Sequence, residues 1–106
     1  MFHLSANLAV YLHRGTIDFR KSINGLSAMV EHELRLDPFA PAAYVFGNRR
    51  KDRIKILGWS RNGFWLLQKR LENARFVWPL LRSAYRVRLA TAFRFVSFGF
   101  RVARTD

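Results

Sequence analysis

The sequence predicts an α+β domain, with one N-terminal helix packed on a small antiparallel sheet. Three observations lead there. An apolar stripe of helical period runs from Phe19 to Leu34. Short apolar runs of strand length flank it on both sides. Turn signals punctuate the second half, the strongest at Asn62-Gly63, a pair that tolerates the positive φ of tight hairpins.

Leu8 to Leu12 reads as a first strand, broken by Arg14, Gly15 and Thr16. Asp18 is placed to cap a helix, because its carboxylate can accept backbone N–H groups that lack helical partners. Phe19, Ile23, Leu26, Val30 and Leu34 then fall on one helical stripe, with Lys21, Asn24, Ala28, Glu31 and Arg35 opposite. Asp37-Pro38 ends the helix, since a residue before proline avoids the helical region. Tyr44 to Phe46 form a second strand, and the turn from Gly47 to Asp52 carries Arg49, Arg50 and Lys51. Arg53 to Trp59 make a third strand and Phe64 to Leu71 a fourth. Glu72, Asn73 and Ala74 turn the chain before a short fifth strand at Phe76 to Trp78. The order is strand, helix, strand, strand, strand. After Pro79 the composition shifts: residues 80–106 hold arginine but no lysine, with phenylalanine at 93, 95, 98 and 100. That tail is expected to be irregular or an edge strand, and Phe93 to Val102 alternates weakly.

A chain of 106 residues makes one domain, here residues 1–79 with a divergent tail. Nineteen Lys and Arg against seven Asp and Glu give a formal charge of +12. Such self-repulsion destabilises a folded chain, and a phosphate backbone is the simplest partner to relieve it. Cysteine is absent, which removes thiolate sites and fits a reducing cytoplasm, where a DNA partner would place the chain at the nucleoid. No apolar run approaches the ~18 residues of a membrane span, so no membrane partner is expected.

Strand side chains alternate between faces. A two-residue loop at Asn62-Gly63 would set Lys55 opposite Arg70, and one at Arg61-Asn62 would set it opposite Gln68. Either way one face holds Ile54, Ile56, Trp65, Leu67 and Leu71, with Lys69 as the exception. This is the face the helix should cover. The other holds Arg53, Lys55, Gln68 and Arg70 at one end, and Leu57, Trp59, Phe64 and Leu66 at the other. Like charges opposed across a ladder are destabilising, which again favours an anionic partner. The candidate nucleic-acid contacts are therefore Arg49, Arg50, Lys51, Arg53, Lys55, Lys69, Arg70 and Arg75. Backbone contact is the expected mode. The apolar end, Leu57, Trp59, Phe64 and Leu66, is the candidate protein contact.

Catalytic chemistry is not expected. Two-metal nucleases need clustered carboxylates, and the few acids here sit at caps, turns and an exposed helix face. A triad such as Asp18, Asp52 and Glu72 is possible by arithmetic alone. His3, His13 and His32 lack metal-ligand spacing, and there is no phosphate-binding glycine loop. No cofactor, metal or small-molecule substrate is expected.

Three blocks carry a likeness to a known family. They are Asp18-Phe19-Arg20-Lys21-Ser22-Ile23-Asn24-Gly25-Leu26; Val45-Phe46-Gly47-Asn48-Arg49-Arg50-Lys51-Asp52-Arg53-Ile54-Lys55-Ile56-Leu57; and Gly63-Phe64-Trp65-Leu66 with Lys69-Arg70-Leu71-Glu72 and Arg75-Phe76-Val77-Trp78-Pro79. In this order they resemble the TnpB accessory proteins of the insertion sequence 66 family, unrelated to the RNA-guided nucleases that share that name. The resemblance implies a bacterial mobile-element protein, encoded beside a large transposase that carries the catalytic acids. It implies a non-catalytic accessory role in transposition, with DNA at the transposon ends and that transposase as partners. The alternative is an adaptor that docks to the transposase without touching DNA. Ala74 stands where the family usually has glycine, and the chain after Pro79 departs from the family's polar ending. Out-of-frame translation of a GC-rich gene would give such a tail. A locus in which no single-base shift restores a family-like ending would exclude that origin.

Overall fold

A computed structural model describes residues 9–76 and 84–87 of the chain. It is an α+β domain with elements β1 (Ala9–Thr16), α1 (Ile23–His32), β2 (Ala42–Gly47), β3 (Arg53–Ser60), β4 (Gly63–Arg70) and β5 (Ala84–Val87). All five strands form one sheet in the order β4-β3-β2-β1-β5. The expected strand-helix-strand-strand-strand order is present. The meander β2-β3-β4 is antiparallel, as expected. β1 and β2 run parallel, so the sheet is mixed. The reason is topological: α1 carries the chain from β1 back to the same end of the sheet before β2 begins. β5 lies at the opposite edge, antiparallel to β1, within the segment that follows Pro79. Of the short strand expected at Phe76 to Trp78, only Phe76 lies inside the described residues, as a single bridge. The expectation for Phe93 to Val102 lies outside them.

Asp18 does not cap the helix. Its carboxylate accepts from the Arg20 backbone N–H and guanidinium, at 3.0 and 2.6 Å. This places Asp18 in a turn ahead of the helix, and the Arg20 guanidinium holds its carboxyl far below the usual range. The helix begins at Ile23, with Ser22 at the capping position making no side-chain bond. It ends where Arg35 takes a left-handed φ of 57° and the Leu36 N–H reaches back to the Val30 carbonyl at 3.0 Å. That geometry closes the last helical turn.

The helix packs on the sheet face opposite to the one expected. Leu26, Met29 and Val30 meet Tyr44, Phe46 and Leu57, with Phe64 and Leu66 at the margin. Burial of each such side chain is worth about 1.5–3 kcal/mol. Tyr44 stacks on Tyr11 with ring centroids 5.5 Å apart, and its hydroxyl donates to the Asp37 carbonyl at 2.7 Å. Burial pushes the Tyr44 phenol up to about 12. Val10, Leu12, Ala43, Val45 and Ile54, on the other face, are also buried.

Candidate nucleic-acid interface

The β2–β3 turn is a constructed loop. Asn48 N–H donates to the Arg53 carbonyl at 3.2 Å and Lys51 N–H to the Asn48 carbonyl at 3.1 Å. Lys51 sits at φ 63°. The Asn48 side chain, buried in the turn, fills its interior. Its amide donates to the Asp52 carboxylate at 2.7 Å, and its Oδ1 accepts from the Asp52 and Arg53 N–H groups at 3.1 and 3.0 Å. The Asn48 hydrogen bond lowers the Asp52 carboxyl from its ordinary value. From outside, Leu71 N–H donates to the Asp52 carbonyl at 2.8 Å and Phe76 N–H to the Lys51 carbonyl at 2.6 Å. The backbone is thus held from within and from the side.

Arg49, Arg50 and Lys51 project from this frame, exposed. Among the described residues none of the three forms an ion pair. Arg50 and Arg75 share the rim of an open hollow of about 570 Å³ with Asp52 and Glu72. Arg53 is directly opposite Arg70 across the β3–β4 ladder. Arg53 Nε is buried with no hydrogen-bond partner among the described residues. Arg70 is exposed and bonds Glu72 through Nε at 3.1 Å and Nη2 at 3.0 Å. The structure therefore gathers Arg49, Arg50, Lys51, Arg53, Arg70 and Arg75 at one end of the sheet.

Two members of the expected cation set lie elsewhere. Lys55 is buried, opposite Gln68, on the face that carries the helix. Its ammonium donates to the Phe19 and Lys21 carbonyls, each at 2.7 Å, and lies 4.7 Å from the Phe19 ring centroid. Its long apolar stem is what allows a charge to reach out from beneath the helix-leading loop. Lys55 is a brace, not a surface contact. Lys69 projects from the other face, opposite Ile54. Lys21, whose backbone anchors Lys55, is an exposed cation beside β3 that sequence reasoning left on the polar side of the helix.

The expected apolar contact patch is also displaced. Leu57 is fully buried under the helix, and Leu66 packs at the core margin. Trp59 and Phe64 form an edge-to-face pair at 4.8 Å, covered by Phe39 from the loop after the helix at 4.9 and 5.4 Å. The large apolar residues that remain exposed on β4 are Trp65 and Leu67, on the face away from the helix. The carboxylates Asp18, Asp52 and Glu72 each have a separate partner, in Arg20, Asn48 and Arg70. Among the described residues no three His, Asp or Glu side chains gather as a metal site would need.

A family model described as "IS66 Orf2 like protein" matches residues 8–105, a span that runs past Pro79. The chain is 35% identical over 75 residues to the uncharacterized protein y4jC of Sinorhizobium fredii (strain NBRC 101917 / NGR234), covering 71% of this chain and 64% of that protein. It is 33% identical over 73 residues to the uncharacterized protein y4hO of the same organism, covering 69% and 64%. The aligned region thus spans just under two thirds of each of these relatives. No solved structure matches.

Proposed function

Because the chain belongs to the IS66 Orf2-like family, we propose that it is a non-catalytic accessory protein of transposition that grips the DNA backbone through its β2–β3 hairpin. One observation carries the reading. Three consecutive exposed cations, which form no ion pair among the described residues, are held on a backbone that Asn48, Leu71 and Phe76 fix in place. A turn so constrained spends little entropy on meeting phosphates. The +12 charge of the chain supports the same partner. Arg53, Arg70, Arg75 and Lys21 extend the surface, and contact with phosphates rather than base edges suits this set.

The test is DNA binding by the full chain across a salt series. Each phosphate contact contributes about −0.9 to the slope of log affinity against log salt. Replacing Arg49, Arg50 and Lys51 together by alanine is expected to reduce that slope by about 2 to 3 units and to weaken binding on every duplex alike. Salt-independent binding, or an unchanged slope in the triple variant, would overturn the reading.

A further inference from the structure

We infer that two copies of this chain associate by pairing their β4 strands edge to edge, antiparallel, about a twofold axis at Leu66. β4 ends the sheet, and among the described residues no strand lies on its outer side. Its register with β3 runs from Ser60–Gly63 to Arg53–Arg70, and Leu71 continues it by donating to Asp52. Odd-numbered β4 residues therefore bond inward to β3. The N–H and C=O groups of Phe64, Leu66, Gln68 and Arg70 point outward. An eight-residue open edge of this kind is a template for another strand.

The residues on that edge select a second copy. With Leu66 on the axis, Phe64 of one copy pairs with Gln68 of the other through outward-pointing groups, giving about six backbone bonds. Trp65, 38% exposed, then meets Leu67, 44% exposed, of the other copy, and this pair occurs twice. These are non-hydrogen-bonded positions, where cross-strand side chains come closest. The cations also fit this direction. Lys69 and Arg70 are at one end of β4, and Gly63 is at the other. Antiparallel pairing sets Lys69 opposite Gly63, whereas parallel pairing would stack like charges. The contact is isologous, so it closes at two copies.

The pairing does not depend on DNA, but it bears on the function proposed above. Arg70 and its symmetry mate would be eight residues apart along the strands, about 27 Å at ~3.4 Å per residue. The two basic hairpins, farther out along the strands and displaced sideways beyond β3, would be farther apart than this and placed to meet separate stretches of one duplex. This last statement rests on the hairpin being the DNA contact.

Sedimentation equilibrium of the nuclease-treated full chain tests the pairing without DNA. Two chains of +12 repel, so the mass is expected to double at tens of micromolar in about 0.5 M salt and to fall toward the monomer at low salt, opposite to the salt trend of DNA binding. Gln68→Pro removes an outward N–H and leaves the β3 ladder intact. Leu67→Lys sets a charge against Trp65 on a side chain that is already exposed, and serves should the proline variant fail to fold. Each is expected to weaken association about tenfold or more. A monomer at every salt concentration, or a dimer indifferent to both variants, overturns the inference. So does a chain that stays monomeric alone while its β4 variants lose only the transposase.

Discussion

The two hairpins of the meander solve the same problem by different means. The β3–β4 turn is two residues long, Arg61 and Asn62, and its ladder closes at once at Ser60–Gly63. Arg61 takes φ 58° there, and among the described residues no side chain braces the turn beyond the neighbouring Trp65–Ser60 bond at 2.7 Å. The β2–β3 turn also holds a cation at positive φ, Lys51. It adds a buried asparagine, a paired carboxylate and two backbone bonds from a later segment. A plain turn needs only to reverse the chain. The second one keeps its shape against the mutual repulsion of three adjacent cations, which the first does not face. The difference separates a connection from a presenting surface.

Breaking the bracing should have the largest effect. Asn48→Ala leaves the Asp52 and Arg53 N–H groups and the Asp52 carboxylate without their partner, at a cost of about 3 kcal/mol in chemical denaturation. It should also weaken DNA binding while all three tip cations remain. An Asn48→Ala chain that is less stable yet binds as tightly would break the link between frame and grip. Next is Lys55→Met, which keeps the stem and strands the Phe19 and Lys21 carbonyls. We expect a loss of about 2 kcal/mol with no change in the salt slope, because this cation braces the fold. A reduced slope would return Lys55 to the surface set. The smallest effect is acid dependence. The Asp52 carboxyl titrates below its ordinary value, so its contribution is present above the unfolded value of about 3.9 and is lost as pH falls through the lower folded value. Asp52→Asn should flatten that acid limb by a small loss of stability near neutral pH, with the variant and the parent chain converging at low pH. A limb of unaltered shape would assign it to other carboxylates.

Much of this was legible in the residues. The stripe Ile23, Leu26, Val30 marked the helix, and alternation with turn residues marked the meander. One of the two registers open for Lys55, opposite Gln68, is the one formed. The face that the helix covers was not legible. Both faces of β3 carry apolar residues, Ile54 and Ile56 on one and Leu57 and Trp59 on the other, so alternation gave no preference. Lys55 then pointed the wrong way, since a lysine is normally a mark of solvent, and here its ammonium bonds two carbonyls above the sheet. The error carried Leu57 and Leu66 into an expected contact patch that is core and core margin. The parallel pairing of β1 and β2 had a usable signal: a strand, a helix and a strand in succession are the ingredients of a parallel crossover. Arg49, Arg50 and Lys51 were found because a run of cations is visible as such. Asn48, which holds them, is in sequence only one more residue of the turn from Gly47 to Asp52, because three bonds from one amide depend on where Asp52 and Arg53 return.

The amide of Asn48 has a consequence for how such a protein can change over generations. Every bond that shapes the turn from within uses Asn48, Asp52 or main-chain atoms, and none uses the side chains of Arg49, Arg50 or Lys51. Scaffold and tip are therefore inherited as independent characters. Substitutions at the three tip positions can raise or lower the hold on a polyanion in small steps, without reopening the question of whether the loop forms.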